Sequence, residues 1–143
     1  MIIGIDPDSE AHGVAYFDNK KLVKLEVMTL PQIIDSILHY FTLQELHFSI
    51  ENVMANQFVY GRNERSNKTV QSKIAMHVGR CQQSQVELCR MLDFYEVSYE
   101  LHRPTKSNWA KDKKKFEMIT GWNGSSNEDK RSAAYFGWLA ATK

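Results

Sequence analysis

Three acidic side chains occupy positions where a folded chain could hold them together. Asp6 follows an apolar run over residues 1–5, and Glu51 ends the segment 46–51, so each carboxylate ends a predicted strand. Asp129 falls in the first turn of a predicted C-terminal helix. Carboxylates held rigidly at the mouth of a strand can bind a hard divalent cation. An aspartate before proline is also a common turn residue, which is the alternative for Asp6.

The rest of the pattern predicts the elements that would position these carboxylates. Periodicity and turn residues predict three strands over 1–6, 13–18 and 21–28, followed by a helix that begins at 29–31. A fourth strand over 46–51, a helix over 70–92 and a fifth strand over 94–101 come next. Two further helices, over 103–121 and 128–141, end the predicted order. Asn127 is a good N-cap for the last helix. This α/β order resembles an RNase H-like fold, a five-stranded mixed sheet flanked by helices, in one domain over residues 1–143. In that topology the fourth strand lies beside the first, which makes Asp6 and Glu51 neighbours.

Composition is typical of an ordinary globular domain. The chain has 143 residues, of which 43% are hydrophobic and 24% charged. No apolar run approaches the roughly 20 residues of a membrane span, and no signal peptide is expected, so we expect a cytoplasmic protein without a membrane partner. Cys81 and Cys89 are interpreted as free thiols, because two cysteines alone cannot form a four-ligand zinc site.

Charge is distributed unevenly along the chain. Residues 1–60 contain three basic and eight acidic side chains, whereas residues 61–143 contain fifteen basic and nine acidic ones. An acidic pocket beside a basic surface suits a metal site that faces a phosphate backbone. The long polar segment 52–69 mixes basic and aromatic residues, as nucleic-acid surfaces do, although a merely flexible loop is the alternative.

Five short motifs then resemble, in order, those of the RuvC family of Holliday-junction resolvases. They are Ile3-Gly4-Ile5-Asp6-Pro7, Ser49-Ile50-Glu51-Asn52-Val53, Val78-Gly79-Arg80-Cys81-Gln82, Arg103-Pro104-Thr105-Lys106 and Asn127-Glu128-Asp129-Lys130-Arg131-Ser132. The resemblance covers almost the whole chain, and the short form favours a phage or prophage type. It implies a homodimer that makes paired nicks in a four-way DNA junction.

The resemblance also implies the roles of individual residues. Asp6, Glu51 and Asp129 would bind two Mg²⁺ ions, for which Mn²⁺ could substitute, with Ser132 and Glu128 as further candidate ligands. Lys106 would approach the scissile phosphate and act with the three carboxylates in catalysis. The DNA contacts it implies come from the following aromatic and basic residues: Phe58, Tyr60, Arg62, Arg65, Lys68, Lys73, Arg80, Lys106, Lys113, Lys114 and Lys115.

Three positions differ from the family pattern. Ser132 stands where the family carries a second aspartate, Asp8 stands where it has glycine, and Met54 stands where it has an aromatic wedge, a role left to Phe58 or Tyr60. Two other functions therefore stay open: a catalytically weak protein that binds branched nucleic acid, and an RNA-directed nuclease. An actin-like ATP-binding fold also opens with a similar strand, but such proteins duplicate the fold and this chain has room for one copy.

The remaining aromatic and imidazole side chains are interpreted as structural. The five histidines show no ligand-like spacing, and His12 and His77 are the two candidates for a chemical role. Trp109, Trp122 and Trp138 are interpreted as core or dimer contacts rather than base stackers.

Overall fold

A five-stranded mixed sheet forms the centre of the structure, a computed structural model that describes residues 1–55 and 67–143. The strands are β1 Ile2–Asp6, β2 His12–Asp18, β3 Lys21–Met28, β4 His47–Glu51 and β5 Ser98–His102. Their order across the sheet is β3-β2-β1-β4-β5. β1 pairs antiparallel with β2 and parallel with β4, so β1 and β4 end at the same edge of the sheet. The predicted five-stranded mixed sheet is confirmed.

Helices cover both faces of this sheet. They are α1 Leu30–Ile33, which continues as a π-helical turn over Ile34–Leu38, then α2 Lys68–Phe94, α3 Lys113–Thr120 and α4 Glu128–Ala141. One face buries an apolar cluster against α1 and the C-terminal half of α2, and the other buries a second cluster against α3 and α4. No helix in the described ranges has the length and apolar character of a transmembrane segment.

Glycines allow α4 to lie directly on the sheet. A Cβ atom built on Gly4 in β1 would lie 2.7 Å from the backbone nitrogen of Gly137 in α4. A Cβ on Gly13 in β2 would lie 2.8 Å from the carbonyl carbon of Asp129. Real Cβ atoms do not approach backbone atoms so closely, so side chains at these positions would push α4 away from β1 and β2. The glycines therefore set the position of Asp129 relative to Asp6.

The fifth strand begins later than the alternating pattern predicts. We expected a strand over 94–101, but α2 continues through Phe94 and β5 begins only at Ser98. The chain turns at Glu96, which has a positive φ of 57°, and the Val97 amide donates to Leu92 O. Helical hydrogen bonding thus extends over residues whose apolar–polar alternation alone favoured a strand.

The third helix also begins later than predicted. We expected it at Arg103, but it begins at Lys113, where Asp112 caps it by accepting from the Lys115 amide. Upstream, the Thr105 and Asn108 side chains accept hydrogen bonds from backbone amides two residues ahead. Such local side-chain bonds compete with helix formation, so Lys106 lies in a turn-rich segment. The predicted end at Gly121 is confirmed by its left-handed φ of 69°.

Candidate active site

Asp6 and Glu51 extend from neighbouring parallel strands toward the same helix. Ile5 pairs in register with Ile50, so the next residue of each strand lies at the same edge. Ile5 and Ile50 face the cluster against α1 and α2, whereas Ser49 faces the other side and its Oγ donates to a backbone carbonyl of α4 at 2.5 Å. Because strand side chains alternate, Asp6 and Glu51 also face α4.

The N-terminal turns of α4 bring two further side chains to this edge. Asn127 caps the helix by accepting from the Lys130 amide, which places Asp129 in the first turn. Ser132 follows three residues later and is 2% exposed. Its Oγ has no hydrogen-bond partner among the described residues, yet it lies close enough to Asp6 to lower the pKa of that carboxyl. An oxygen ligand is therefore available beside Asp6.

Burial is the largest cause that raises the pKa values of the three carboxyls, and the charges of nearby carboxylates raise them further. Burial, together with the hydrogen bond and charge of Glu51 and the charge of Asp129, raises the pKa of Asp6 to about 9. Burial and the charge of Asp129 raise the pKa of Glu51, whereas the hydrogen bond from Asp6 lowers it. Burial, followed by the charges of Asp8 and Glu128, raises the pKa of Asp129. Like charges this close must share protons or be neutralised by a cation.

Two cavities meet at Glu51. The first has a volume of about 280 Å³ and is lined by Asp6, Pro7, Asp8, Glu51, Val53, His77, Val78, Cys81 and Asp129. The second has a volume of about 640 Å³ and is lined by Glu51, Pro104, Thr105, Lys106, Asn108, Ala110 and Lys111. We name the first the acidic cleft and the second the lysine cavity. A polyanion that crosses Glu51 would therefore meet carboxylates on one side and ammonium groups on the other.

Buried hydrogen bonds hold the walls of both cavities. Gln85 of α2 is 2% exposed, and its Oε1 accepts from the Val53 amide at 2.7 Å, directly after the strand that ends in Glu51. Arg131 of α4 donates from Nε and Nη2 to Ala110 O, at 3.1 and 2.7 Å. These contacts attach the segments that carry Glu51 and Lys106 to α2 and α4.

The other predicted site residues fall in three groups. Glu128 is exposed and does not line the acidic cleft, whereas Asp129 does. The predicted DNA-contacting residues on helices are all exposed, namely Lys68, Lys73 and Arg80 on α2 and Lys113, Lys114 and Lys115 on α3. The predicted contacts Phe58, Tyr60, Arg62 and Arg65 lie outside the described residues.

The tryptophans agree with the structural interpretation. Trp109 is buried in the cluster between the sheet and α4, and Trp122 and Trp138 pack against that cluster.

Sequence reasoning named His77 as a candidate for a chemical role but placed it at no site, and it assigned no role to Cys81, Asp8 or Gln85 of the acidic cleft and its wall. His77 and Cys81 are four residues apart, so one face of α2 carries both toward the cleft. That spacing was a usable signal. Asp8 was noted only as a departure from glycine, and Gln85 occupies a buried helical position that a sequence pattern does not distinguish from an apolar one.

Comparison with known proteins places the fold. No family model matches this chain, and no characterised protein matches it in sequence. Among the solved structures that match this chain, two do so over 98% of this chain and 92% of their own. They are T. thermophilus RuvC in complex with a Holliday junction substrate, with TM-score 0.58 and 15% identity, and Thermus thermophilus RuvC, with TM-score 0.55 and 14% identity. The chain has an RNase H-like fold.

The three carboxylates at the ends of β1 and β4 and at the start of α4 fit a hard divalent cation. Asp6, Glu51 and Asp129 offer only oxygen atoms, the ligands that Mg²⁺ prefers. The unpartnered Ser132 Oγ adds a neutral oxygen at the same place. A cation would also offset the charge repulsion that, after burial, raises the three pKa values.

Proposed function

We propose that this protein is a metal-dependent endonuclease that hydrolyses phosphodiester bonds in branched DNA, as a member of the RuvC family of Holliday-junction resolvases. The convergence of Asp6, Glu51 and Asp129 beside the lysine cavity carries this proposal. Bringing three carboxylates together is costly without a cation. A protein that only bound nucleic acid would gain nothing from negative charges beside phosphates.

The residues of the acidic cleft would have the following roles in catalysis. Asp6, Glu51 and Asp129 would hold two Mg²⁺ ions, with Ser132 Oγ as a neutral ligand, and Mn²⁺ would substitute because it accepts the same oxygen ligands. When bound there, such ions would supply an activated water for attack on phosphorus and positive charge beside the leaving 3′ oxygen. Lys106, across Glu51, would bind a non-bridging oxygen of the scissile phosphate.

Exposed basic side chains support a nucleic-acid substrate. Lys73 and Arg80 are seven residues apart on α2, so they share the helix face that carries His77 into the acidic cleft. Lys113, Lys114 and Lys115 form a second exposed group at the start of α3. The solved RuvC neighbour binds a Holliday junction. By analogy, we propose a four-way junction as the substrate here.

The same proposal includes the assembly and location. Two copies of the chain would present two acidic clefts to opposed strands of the junction and make paired nicks. The two free thiols are compatible with a cytoplasmic location. A phage or prophage origin stays a prediction from the sequence.

Ser132 supports one competing function. Because serine brings no charge, the second cation would be held less tightly than by an aspartate, and the protein would bind branched DNA while cleaving it slowly or not at all. The cleavage experiment separates the two functions.

The test compares substrates in Mg²⁺ and in EDTA. Labelled four-way junction, fork, linear duplex and RNA–DNA hybrid are incubated with the purified protein, and binding is measured in parallel. Paired nicks in the junction that need Mg²⁺ are expected. Binding of the junction without cleavage in both Mg²⁺ and Mn²⁺ would support the competing function, and preferential cleavage of the hybrid would assign the chemistry to RNA.

A further inference from the structure

Three side chains at the rim of the acidic cleft form a cluster that the proposed nuclease chemistry does not use. Asp8 follows β1, and His77 and Cys81 extend from one face of α2. Cys81 Sγ lies 3.6 Å from Asp8 Oδ1 and 3.6 Å from His77 Nε2. His77 Nε2 lies 4.0 Å from Asp8 Oδ1.

Two of these three separations match the edges of a tetrahedral zinc site. Bond lengths of about 2.3 Å from zinc to sulfur and about 2.1 Å to nitrogen or oxygen put sulfur about 3.6 Å from each other ligand, and nitrogen about 3.4 Å from oxygen. Two of the three observed distances agree, and the third needs a movement of about 0.6 Å by that arithmetic. The His77 side chain is 63% exposed and can make that movement.

Hydrogen bonds from the surrounding loop hold the Asp8 side chain in place. The Ser9 amide donates to Asp8 Oδ1 at 2.6 Å, and the Asp8 amide donates to His12 Nδ1 at 3.2 Å. Burial lowers the pKa of His12, so the ring is neutral. Because Nδ1 accepts from the Asp8 amide, the ring proton lies on Nε2, which faces Ser84 Oγ of α2 at 3.3 Å. The loop after β1 is thus attached to α2 one turn away from Cys81, before any ion binds.

We propose that Asp8, His77 and Cys81 bind one zinc ion, or another borderline-soft divalent ion of similar size, at a site separate from the Asp6, Glu51 and Asp129 cluster. A thiolate and an imidazole favour zinc over Mg²⁺, which takes oxygen ligands in an octahedral arrangement. Water occupies the fourth position. The ion links the β1–β2 loop to α2 at the entrance of the acidic cleft.

Metal uptake is a simple exchange. The Cys81 thiol loses its proton to solvent as the thiolate binds the ion, His77 binds through the lone pair of Nε2, and no redox step occurs. Since the site closes a loop onto a helix in the folded protein alone, the ion also stabilises the fold.

The test uses Co²⁺ as a coloured substitute for zinc and does not depend on nuclease activity. The wild-type protein is titrated with Co²⁺, and we expect a thiolate-to-cobalt charge-transfer band that saturates at one equivalent and disappears when Zn²⁺ is added. We expect Cys81→Ser to abolish the band and His77→Gln to weaken Co²⁺ binding at least about tenfold. The matched control Cys89→Ser should leave the band and the Co²⁺ affinity unchanged. Asp6→Asn also keeps the band.

Several results would overturn the proposal. They are absence of the band in the wild-type protein, its survival in Cys81→Ser, or its loss in Cys89→Ser. Loss of the band in Asp6→Asn would show that the thiolate-bound ion also depends on Asp6, so that the two sites are not separate. Because the band reports the thiolate alone, an inactive but cobalt-binding protein would refute the nuclease proposal and keep this one.

Discussion

Asp6 and Glu51 are 45 residues apart in the sequence, yet they lie side by side at the ends of two paired parallel strands and share a hydrogen bond. Asp129 reaches the same point from α4, whose close approach depends on Gly4 and Gly13. The arrangement is unfavourable for three ionised carboxylates and favourable for a bound cation.

The stability of the metal-free protein depends on pH through Asp6. Its carboxyl is protonated below about pH 9 in the folded protein, but only below about pH 4 in the unfolded chain. The folded state therefore binds the additional proton between these values. The stability that this proton provides is complete below about pH 4 and is lost as the pH rises through 9, with a slope of up to about 1.4 kcal/mol per pH unit.

Urea unfolding in EDTA, measured between pH 6 and 9, checks this expectation. The midpoint should fall as the pH rises, and saturating Mg²⁺ should flatten the curve because a cation replaces the proton. Asp6→Asn is the control and should lose most of the slope. A midpoint that is independent of pH in EDTA would contradict the shared proton.

Lys106→Ala is expected to slow cleavage of bound junction at least about tenfold, because one charge that stabilises the transition state is lost. Lys106→Arg should recover part of the rate. Single-turnover cleavage at saturating protein measures this step apart from binding. Lys21→Ala, on β3 at the far edge of the sheet, is the matched control and should cleave normally. Equal rates for Lys106→Ala and Lys21→Ala would remove Lys106 from the mechanism.

Ser132→Ala is expected to stabilise the metal-free protein by about 1 kcal/mol, because it removes a buried hydroxyl without a described partner. The same change should weaken Mg²⁺ binding about tenfold, since an oxygen ligand is lost. Ser49→Ala is the matched control, because its Oγ donates to Phe136 O, and it should destabilise by a similar amount. Calorimetry and urea unfolding give both quantities. A destabilised Ser132→Ala with unchanged Mg²⁺ affinity would mean that this serine is structural.

Gly13→Ala is expected to lower both stability and cleavage, because its Cβ would displace the backbone at Asp129. Gly79→Ala is the matched control. It lies on an exposed part of α2 with no atom within 4 Å of the added Cβ, and it should stabilise the helix by about 0.5–1 kcal/mol. Thermal unfolding and junction cleavage measure the two effects. If Gly13→Ala cleaved normally, the position of α4 would not be critical for the site.

Local signals in the sequence were sufficient to predict the elements that carry the three carboxylates. Apolar runs that end in an acidic residue predicted β1 and β4, and Asn127 before Glu128–Ala141 predicted α4 with its observed bounds. The segment before α3 was predicted as helix because its turn-forming contacts at Thr105 and Asn108 depend on side-chain geometry. The cluster of Asp8 with His77 and Cys81 arises only when α2 packs beside the β1–β2 loop, so no local pattern contains it.

The most direct test of the account compares junction cleavage by the wild-type protein and Asp6→Asn, at equal occupancy of the DNA and in saturating Mg²⁺. Paired nicks are expected from the wild-type protein. Binding without nicks is expected from Asp6→Asn, because its amide cannot replace the carboxylate ligand. Nicks made by Asp6→Asn at the wild-type rate, or by the wild-type protein in EDTA, would show that the acidic cleft is not the catalytic site.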